Sequence, residues 1–363
     1  MINNKKTKII HVTSVHNHND VRIYEKECIS LSKEYNVEII NPNFEGKINK
    51  INFKKIFFFR KSKILRVLTS WIFVLPSTCL GKHKLIHFHD PELIFAAPFW
   101  KLFRKKVVYD VHENYSKQIL ANESLPEIVK IIISKILLFI EAIYSIFFDL
   151  IIVVLKDLNP TLNRFNNKVV VNNKPIIDYI FAPKKRKNQA CYFGVISEKR
   201  GVLKVAKILK EKGIKLIIGG NFDNEHIKNE ICKLDNVRYI GFVEREKIIE
   251  VVSESKCGLC TLMPTQNHVN GSPTKFFEYL AYGTPVIASN FKSYINEVSS
   301  DNDFVFYVNP LDSDEIRKSL LSIFKMSDSA INNLGLSAHL FSKKHHGWEK
   351  EEIKLLNAYK TII

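Results

Sequence analysis

Apolar residues along this chain fall into two kinds of run. Some are short and rich in Val and Ile, the pattern of a strand buried on both faces of a parallel sheet. Others are longer, with apolar residues returning every three or four positions, the pattern of an amphipathic helix. The two kinds alternate. In the first half the pattern predicts strands over Lys8–Val12, Val37–Ile40, Ile56–Phe59, Leu85–His89, Val107–Val111, Leu150–Leu155 and Val169–Val171, with helices such as Ile23–Lys33 and Glu92–Arg104 between them. The polar stretch Asn172 to Gln189, which contains proline and several lysines, reads as a link. The alternation then restarts. Strands are predicted over Cys191–Val195, Lys215–Ile218, Val237–Ile240, Gly258–Leu262, Pro285–Ala288 and Phe304–Val308. Helices are predicted over Leu203–Lys212, Glu225–Lys233, Glu244–Ser253, Thr274–Tyr282 and Ser313–Lys325, and a last one over Trp348–Ile362.

Such alternation defines an α/β fold, with parallel strands and helices on both faces of each sheet. Because it occurs twice in series, two Rossmann-like domains are expected, over residues 1–180 and 188–343, with a tail at 344–363. One apolar run, Ile131–Leu155, is long enough to span a bilayer, but Lys135, Glu141 and Asp149 interrupt it. It reads better as a buried helix from about Pro126 to Phe147, followed by a strand. The region around residues 45–80 carries no clear pattern. Its run Ile64–Leu80 contains Pro76 and is too short to span.

The 363 residues are 46% hydrophobic, enough for two cores. Lys and Arg number 54 against 37 acidic residues, a net charge of +17, which favours nucleic acid, an acidic membrane surface or phosphorylated molecules as partners. Ile, Lys and Asn are abundant throughout, so part of this charge reflects an AT-rich coding bias. The start, MINNKKTKIIHV, lacks the apolar core of a signal peptide. A reducing cytoplasm is therefore expected, with Cys28, Cys79, Cys191, Cys232, Cys257 and Cys260 as free thiols. Cys257 and Cys260 form a CxxC inside an apolar run with no second ligand pair at zinc spacing, so they read as part of a buried strand.

The candidate chemistry lies at strand ends. In Asn270 to Ser289, NGSPTKFFEYLAYGTPVIAS, Ser272 is expected to cap a helix with Pro273 at its first position and Gly283 at its end. Such a helix start presents backbone N–H groups and a positive dipole end to an anion. Lys275 adds a cation there, and Glu278 follows one turn on. This is a set suited to a nucleotide diphosphate and its ribose, although an exposed Lys275–Glu278 ion pair would have the same spacing. Gly194 ends a strand ahead of Arg200 and Gly201. Gly219 and Gly220 end the next, and Gly241 the one after, each allowing close approach of a ligand. In the first half the exit of the first strand carries Asn17, Asp20 and Arg22. Asp20 is placed to cap a helix, and the planar fork of Arg22 suits a phosphate or carboxylate. LIHFHDPELI places His89 and Asp90 at a strand end, with Asp90 as a cap before Pro91. VVYDVHENY places Asp110, His112 and Glu113 at the neighbouring end. GxGxxG is absent after every strand, which argues against a dinucleotide cofactor.

These segments resemble the retaining GT-B glycosyltransferases of the "group 1" type, glycosyltransferase family 4. The likeness covers most of the chain and is strongest over Leu85–Tyr115 and Gly194–Ser289. The family's donor motif is a Glu, seven residues and a second Glu. The second matches Glu278, while the first falls on Asn270, which is neutral and both donates and accepts hydrogen bonds. The resemblance implies two Rossmann-like domains facing across a cleft, with the C-terminal helix crossing back to the first. It implies a nucleotide-diphosphate sugar as co-substrate, with no cofactor and no protein-bound metal. A three-ligand zinc site from His87, His89 and His112 is geometrically conceivable but has no part in that chemistry. Gly194, Arg200, Gly219, Gly220, Gly241, Asn270, Gly271, Ser272, Lys275 and Glu278 would then bind the donor. His112, Arg200, Lys275 and Glu278 would carry the reaction, and Asn17, Asp20, Arg22, His89, Asp90 and Glu113 would meet the acceptor. Retention of anomeric configuration is implied by the family alone.

The expected function is thus transfer of a sugar to a saccharide or lipid-linked saccharide, in assembly of a cell-surface polysaccharide such as capsule or O-antigen. The expected location is cytoplasmic, resting against the anionic inner face of the cell membrane. A sugar-nucleotide epimerase of the same fold and a non-catalytic sugar-nucleotide-binding protein remain as alternatives. Nucleic-acid binding would explain the charge but not the paired strand ends.

Overall fold

The computed structural model describes residues 6–59, 61–120, 125–156, 158–159, 161–162, 165 and 167–363. The chain divides into two compact units, Met1–Asn173 together with Trp348–Ile363, and Lys174–Gly347.

In the first unit the described strands are β1 (Lys8–Val12), β2 (Asn36–Asn41), β3 (Gly46–Ile48), β4 (Ile51–Lys55), β5 (Leu85–Phe88), β6 (Lys106–Val111), β7 (Leu150–Val153) and β8 (Lys168–Val170). They form one sheet in the order β3-β4-β2-β1-β5-β6-β7-β8, parallel except for the β3–β4 pair. The central strands β1, β5, β6 and β7 are buried almost throughout, as their unbroken apolar runs require. The strand expected at Ile56–Phe59 lies instead at Ile51–Lys55. Its alternating burial, Ile51 and Phe53 in and Asn52 and Lys54 out, is the signature of a half-exposed strand near a sheet edge, and no apolar run marks it. The region left unassigned holds a helix, Lys63–Cys79, whose start is capped by the Ser62 hydroxyl accepting from Leu65 N at 3.3 Å.

Helix Glu127–Tyr144 falls where expected but is not buried. Ser134 and Glu141 face inward, with Glu141 accepting from Tyr109 OH (3.3 Å) and Asn159 Nδ2 (2.7 Å). Ile128 (72%), Ile136 (51%) and Phe139 (65%) are exposed. Among the described residues no helix is long and apolar enough to cross a membrane.

The second unit has strands β9 (Lys187–Phe193), β10 (Lys215–Gly219), β11 (Val237–Tyr239), β12 (Ser255–Cys260), β13 (Val286–Ser289) and β14 (Val305–Val308), in the order β11-β10-β9-β12-β13-β14, with every pairing parallel among the described residues. Cys257 and Cys260 lie buried in β12, and burial pushes the Cys260 thiol up to about 12. Helices Val202–Lys210, Glu225–Cys232, Arg245–Glu254, Thr274–Ala281 and Ser313–Lys325 fall where the pattern predicts. An eighteen-residue helix, Asp328–His345, was not expected. Its Asn, Ser and Gly residues blur the apolar stripe, and it is identified by contact: His339 Nδ1 lies 2.7 Å from Ala281 O. The terminal helix Trp348–Lys360 belongs to the first unit, where Trp348 Nε1 donates to Ser30 Oγ at 2.9 Å and Tyr359 is fully buried.

Candidate functional site

At the carboxyl end of β9 the chain turns through Gly194 (φ 141°) and the short turn Glu198–Arg200 into Gly201 (φ 72°), which opens helix Val202–Lys210. A Cβ on Gly201 would lie 2.2 Å from Thr261 O. One on Gly220, whose φ is 123°, would lie 2.1 Å from Gly194 O, so both positions demand glycine. This closeness joins the strand ends: Gly194 N donates to Gly219 O at 2.9 Å and Gly220 N to Gly241 O at 2.8 Å. Gly194, Gly219, Gly220 and Gly241 therefore share one surface at the ends of β9, β10 and β11, where parallel α/β sheets take their ligands.

Helix Thr274–Ala281 starts beside this surface. Ser272 does not cap it, contrary to the expectation from sequence. Pro273, with ψ 119°, occupies the cap position, and Phe276 N donates to Pro273 O at 3.2 Å. Ser272 thus lies one residue outside the helix, and no side chain caps its start. Lys275 Nζ lies 3.0 Å from Glu278 Oε2, both side chains being partly exposed. A methyl on Gly194 would come 3.9 Å from Lys275 Cε and 3.4 Å from Tyr192 OH. Arg200 lies within electrostatic reach of the same Tyr192, and of Cys260, His268 and Tyr294. Lys275 thus stands beside Gly194 at the end of β9, and the charge of Arg200 reaches Tyr192 of the same strand.

One residue that sequence reasoning passed over, Tyr279, holds the helix against β9 and β12. Tyr279 OH accepts from Phe193 N at 2.8 Å, and its ring lies on Gly258, where a Cβ would come 2.4 Å from Tyr279 Cδ2. Asn270 is exposed at the end of the short helix Gln266–Val269, its amide donating to Gln266 O at 3.1 Å, and Gly271 follows it. His268, also unremarked in the sequence, holds Nδ1 at 2.9 Å from Met263 O. Burial and the charges of Arg200 and Lys199 lower its pKa.

In the first unit the expected acceptor residues separate into a buried base and an exposed rim. The structure corrects the role expected of Arg22. Its fork is buried and engaged with Asp110 (Nε–Oδ2 3.2 Å, Nη2–Oδ1 2.9 Å), while Nη1 donates to Val171 O, so it offers no free face to a phosphate. Asp110 is held well below the usual carboxylate range, because Arg22 and His112 outweigh its burial. Burial and Asp110 push the buried Glu27 carboxyl well above it, outweighing Arg22. His89 is corrected as well. It is fully buried, its nitrogens 3.0 Å from His11 Nδ1 and 3.3 Å from both Asp110 Oδ2 and His112 Nε2, and burial lowers its pKa to about 4. Asp90 is buried and makes no side-chain cap to the turn Pro91–Ala96. It instead accepts from Thr13 Oγ1 (2.7 Å) and Ser14 N (2.6 Å), tying β5 to β1.

Asp20 does cap its helix, accepting from Arg22 N and Ile23 N at 2.9 Å each. Asp20 also pairs with His16, whose Nδ1 lies 2.9 Å away. Burial works against a charged His16, but that hydrogen bond and the charges of Asp90, Asp20 and Glu113 push its pKa up to about 9. His112 is half-buried, with Nε2 hydrogen-bonded to Asp110 Oδ2 and its ring edge-on to His16 at 5.6 Å. Asn17 and Glu113 are exposed. His16, Asn17, Asp20, His112 and Glu113 thus belong to the open side of this cluster. Among the described residues, two groups have the composition and spacing to hold a metal: His11, Glu27, His87 and His89, and His89, Asp110 and His112.

Residues 173–335, nearly all of the second unit, match the model of the family "Glycosyl transferases group 1". No curated protein matches the chain by sequence. Solved structures similar to it include a sucrose-phosphate synthase from Thermosynechococcus elongatus (12% identity, TM-score 0.76, covering 98% of this chain and 99% of that one). HepE of Anabaena, in complex with UDP and glucose, is similar as well (13%, 0.70, 98% and 100%), as is a glycosyltransferase from Rickettsia africae (14%, 0.67, 98% and 98%). The fold is GT-B, with two Rossmann-like parallel sheets and a C-terminal helix on the first unit. The family match marks the second unit as similar to the glycosyl transferases of group 1.

Proposed function

We propose that the protein is a retaining glycosyltransferase using a nucleotide-diphosphate sugar, and that the donor's diphosphate binds in the second unit, at the end of β9, between Arg200 and the start of helix Thr274–Ala281. The observation that carries this reading is the placement of Lys275 against Gly194: a cation stands where the backbone is bare and where the uncapped helix start offers its N–H groups. Glu278, now paired with Lys275, would accept hydrogen bonds from ribose hydroxyls once phosphate takes the ammonium. Negative charge grows on the diphosphate as the sugar departs, and Arg200, Lys275 and the helix start would stabilise it without a metal. A preorganised donor of this kind is worth about 3 kcal/mol, or a factor of roughly 10² or more in rate. Neutral Asn270 would contact the sugar by hydrogen bonding alone.

The test begins with thermal shifts against UDP, GDP, ADP and CMP; the stabilising nucleotide reports the base pocket. UDP is tested first, since UDP and glucose are bound in the HepE structure. Lys275→Ala is expected to lower turnover at least about a hundredfold at unchanged melting temperature. A tenfold loss or less removes Lys275 from the reaction. Incubation with donor alone, followed by product analysis, separates transfer from epimerisation.

The acceptor reading is a lipid-linked saccharide used in cell-surface polysaccharide assembly. The exposed polar edges of His16, Asn17, Asp20, His112 and Glu113 are the groups offered to its hydroxyls. What supports a membrane-borne acceptor is one apolar side of the first unit. Phe95 packs between Trp71 of helix Lys63–Cys79 (6.5 Å) and Tyr144 of helix Glu127–Tyr144 (5.4 Å), so both helices lie on one face of the sheet. Both expose large apolar side chains, among them Ile64, Leu68, Ile128 and Phe139, on a chain of net charge +17. Flotation with anionic liposomes should carry the protein, and should fail for the double variant Leu68→Glu/Phe139→Glu. Equal flotation of both would remove this support.

A further inference from the structure

Four side chains in the interior of the first unit have no part in sugar transfer as proposed. His11 of β1 and His87 of β5 are register partners on neighbouring parallel strands, with ring centroids 4.3 Å apart. His89, two residues beyond His87 and hence on the same face, stacks 4.5 Å from it and places Nε2 3.0 Å from His11 Nδ1. Glu27, from helix Val21–Cys28, brings Oε2 to 3.9 Å from His87 Nε2. One ligand atom from each of the four lies within 4.8 Å of every other, and all four residues are fully buried. Among the described residues, His87 Nε2 and both Glu27 oxygens have no hydrogen-bond partner; Arg22 Nη2 stands 3.0 Å from Oε1 but off a hydrogen-bonding line. Buried polar atoms left this way cost about 1–3 kcal/mol each. The nitrogens turned the other way are backed by oxygen: His89 Nδ1 by Asp110 Oδ2 at 3.3 Å, His87 Nδ1 by Tyr359 OH at 2.6 Å, and His11 Nε2 by the same hydroxyl at 3.5 Å. Rings that bind a metal through one nitrogen are oriented through the other in this manner.

We propose that His11, His87, His89 and Glu27 form a closed site for a divalent transition metal of the zinc class, one that stabilises the first unit and takes no part in the reaction. Three imidazole nitrogens and one carboxylate oxygen suit zinc's preference for four borderline ligands. Four protein ligands leave no open position for water or substrate, which marks a structural rather than a catalytic centre. The ion would contract the four groups around itself and satisfy the orphaned His87 and Glu27 atoms together. Tyr359 would tie the terminal helix to the same centre. This set differs from His87, His89 and His112, because His112 Nε2 already faces Asp110.

The test uses the full-length, untagged protein and does not read activity. Elemental analysis of protein purified without chelator is expected to give about one zinc per chain. Removal of the metal under mild denaturant and refolding should lower Tm by at least about 5 °C, and Zn2+, but not Mg2+, should restore it. Cobalt reloading should give the absorption of a tetrahedral ion, and Glu27→Gln, which keeps the side-chain shape, should abolish both the tetrahedral spectrum and the zinc-dependent rise in Tm. Less than about a tenth of an equivalent of zinc in the native protein, together with no rise in Tm on adding Zn2+ to the refolded chain, overturns the proposal. So does undiminished tetrahedral binding by Glu27→Gln. Neither result bears on the donor site, which lies in the other unit.

Discussion

Two glycines at strand ends separate two reasons for having no side chain. Gly220 combines a φ of 123° with backbone only 2.1 Å from where a Cβ would stand, and nothing flexible is there to yield. Gly241 has a φ of 75° and open space around it, so only the backbone conformation resists a side chain. Gly220→Ala should therefore cost about 3 kcal/mol or more in urea unfolding, and Gly241→Ala about 1 kcal/mol. Similar losses at the two positions would show that β9 and β10 do not meet as described. His16 makes a prediction about pH. Its folded pKa stands near 9, above the ordinary value of about 6.5. A raised pKa contributes stability that is complete below the unfolded value and is lost as pH rises through the folded one. The stability advantage of wild type over His16→Gln, of order 1–2 kcal/mol, should hold at pH 6 and fade by pH 9.5, measured by urea unfolding across that range. An advantage that grows with pH would mean that Asp20 and Asp90 do not hold the imidazolium.

At the level of elements, the sequence was legible wherever burial was symmetrical or a single periodicity ran unbroken. The central strands β1, β5, β6, β7, β10 and β13, buried on both faces, read directly as apolar runs. Strand β4 and helix Asp328–His345 did not, since one is half-exposed and the other is recruited by tertiary contact. Helix Glu127–Tyr144 was located but misjudged as buried: pattern reading assumes that apolar residues face the core, and here Ser134 and Glu141 do. Site residues followed the same rule. Gly194, Gly219, Gly220 and Gly241 lie at strand ends and Lys275 in a first helical turn, as the local sequence pattern places them. The engagement of Arg22 with Asp110 was not legible in that way, because the two are 88 residues apart and only the sheet order brings them together. Caps are a case in which one local signal, a polar residue ahead of a helix, led to two outcomes. Asp20 bonds two first-turn N–H groups and Ser272 bonds none. Asp20→Ala should cost about 1 kcal/mol or more, and Ser272→Ala under about 0.5, by thermal unfolding. A loss of 1 kcal/mol or more at Ser272 would restore it as a cap.

The molecule's two units are interleaved in sequence, since the last sixteen residues belong to the first. Helix Trp348–Lys360 buries Trp348, Leu355, Ala358 and Tyr359, donates from Trp348 to Ser30, and accepts from Asn172 N through Glu351 at 2.8 Å. Losing one buried Trp or Leu alone costs about 2–5 kcal/mol, comparable with the whole stability of many domains. A chain ending at Gly347 should therefore unfold its first unit at much lower temperature, while Lys174–Gly347, whose sheet is complete without the helix, melts as before. Calorimetry should resolve two transitions in the truncated protein. Because Gly194, Arg200, Gly220, Lys275 and Glu278 all lie in the second unit, the nucleotide that stabilises full-length protein should raise the upper transition by a similar amount and leave the lower one unmoved. Loss of that nucleotide shift on truncation, with the upper transition intact, would mean that the first unit supplies part of the diphosphate site, and the assignment to Lys275 and Arg200 alone would fail.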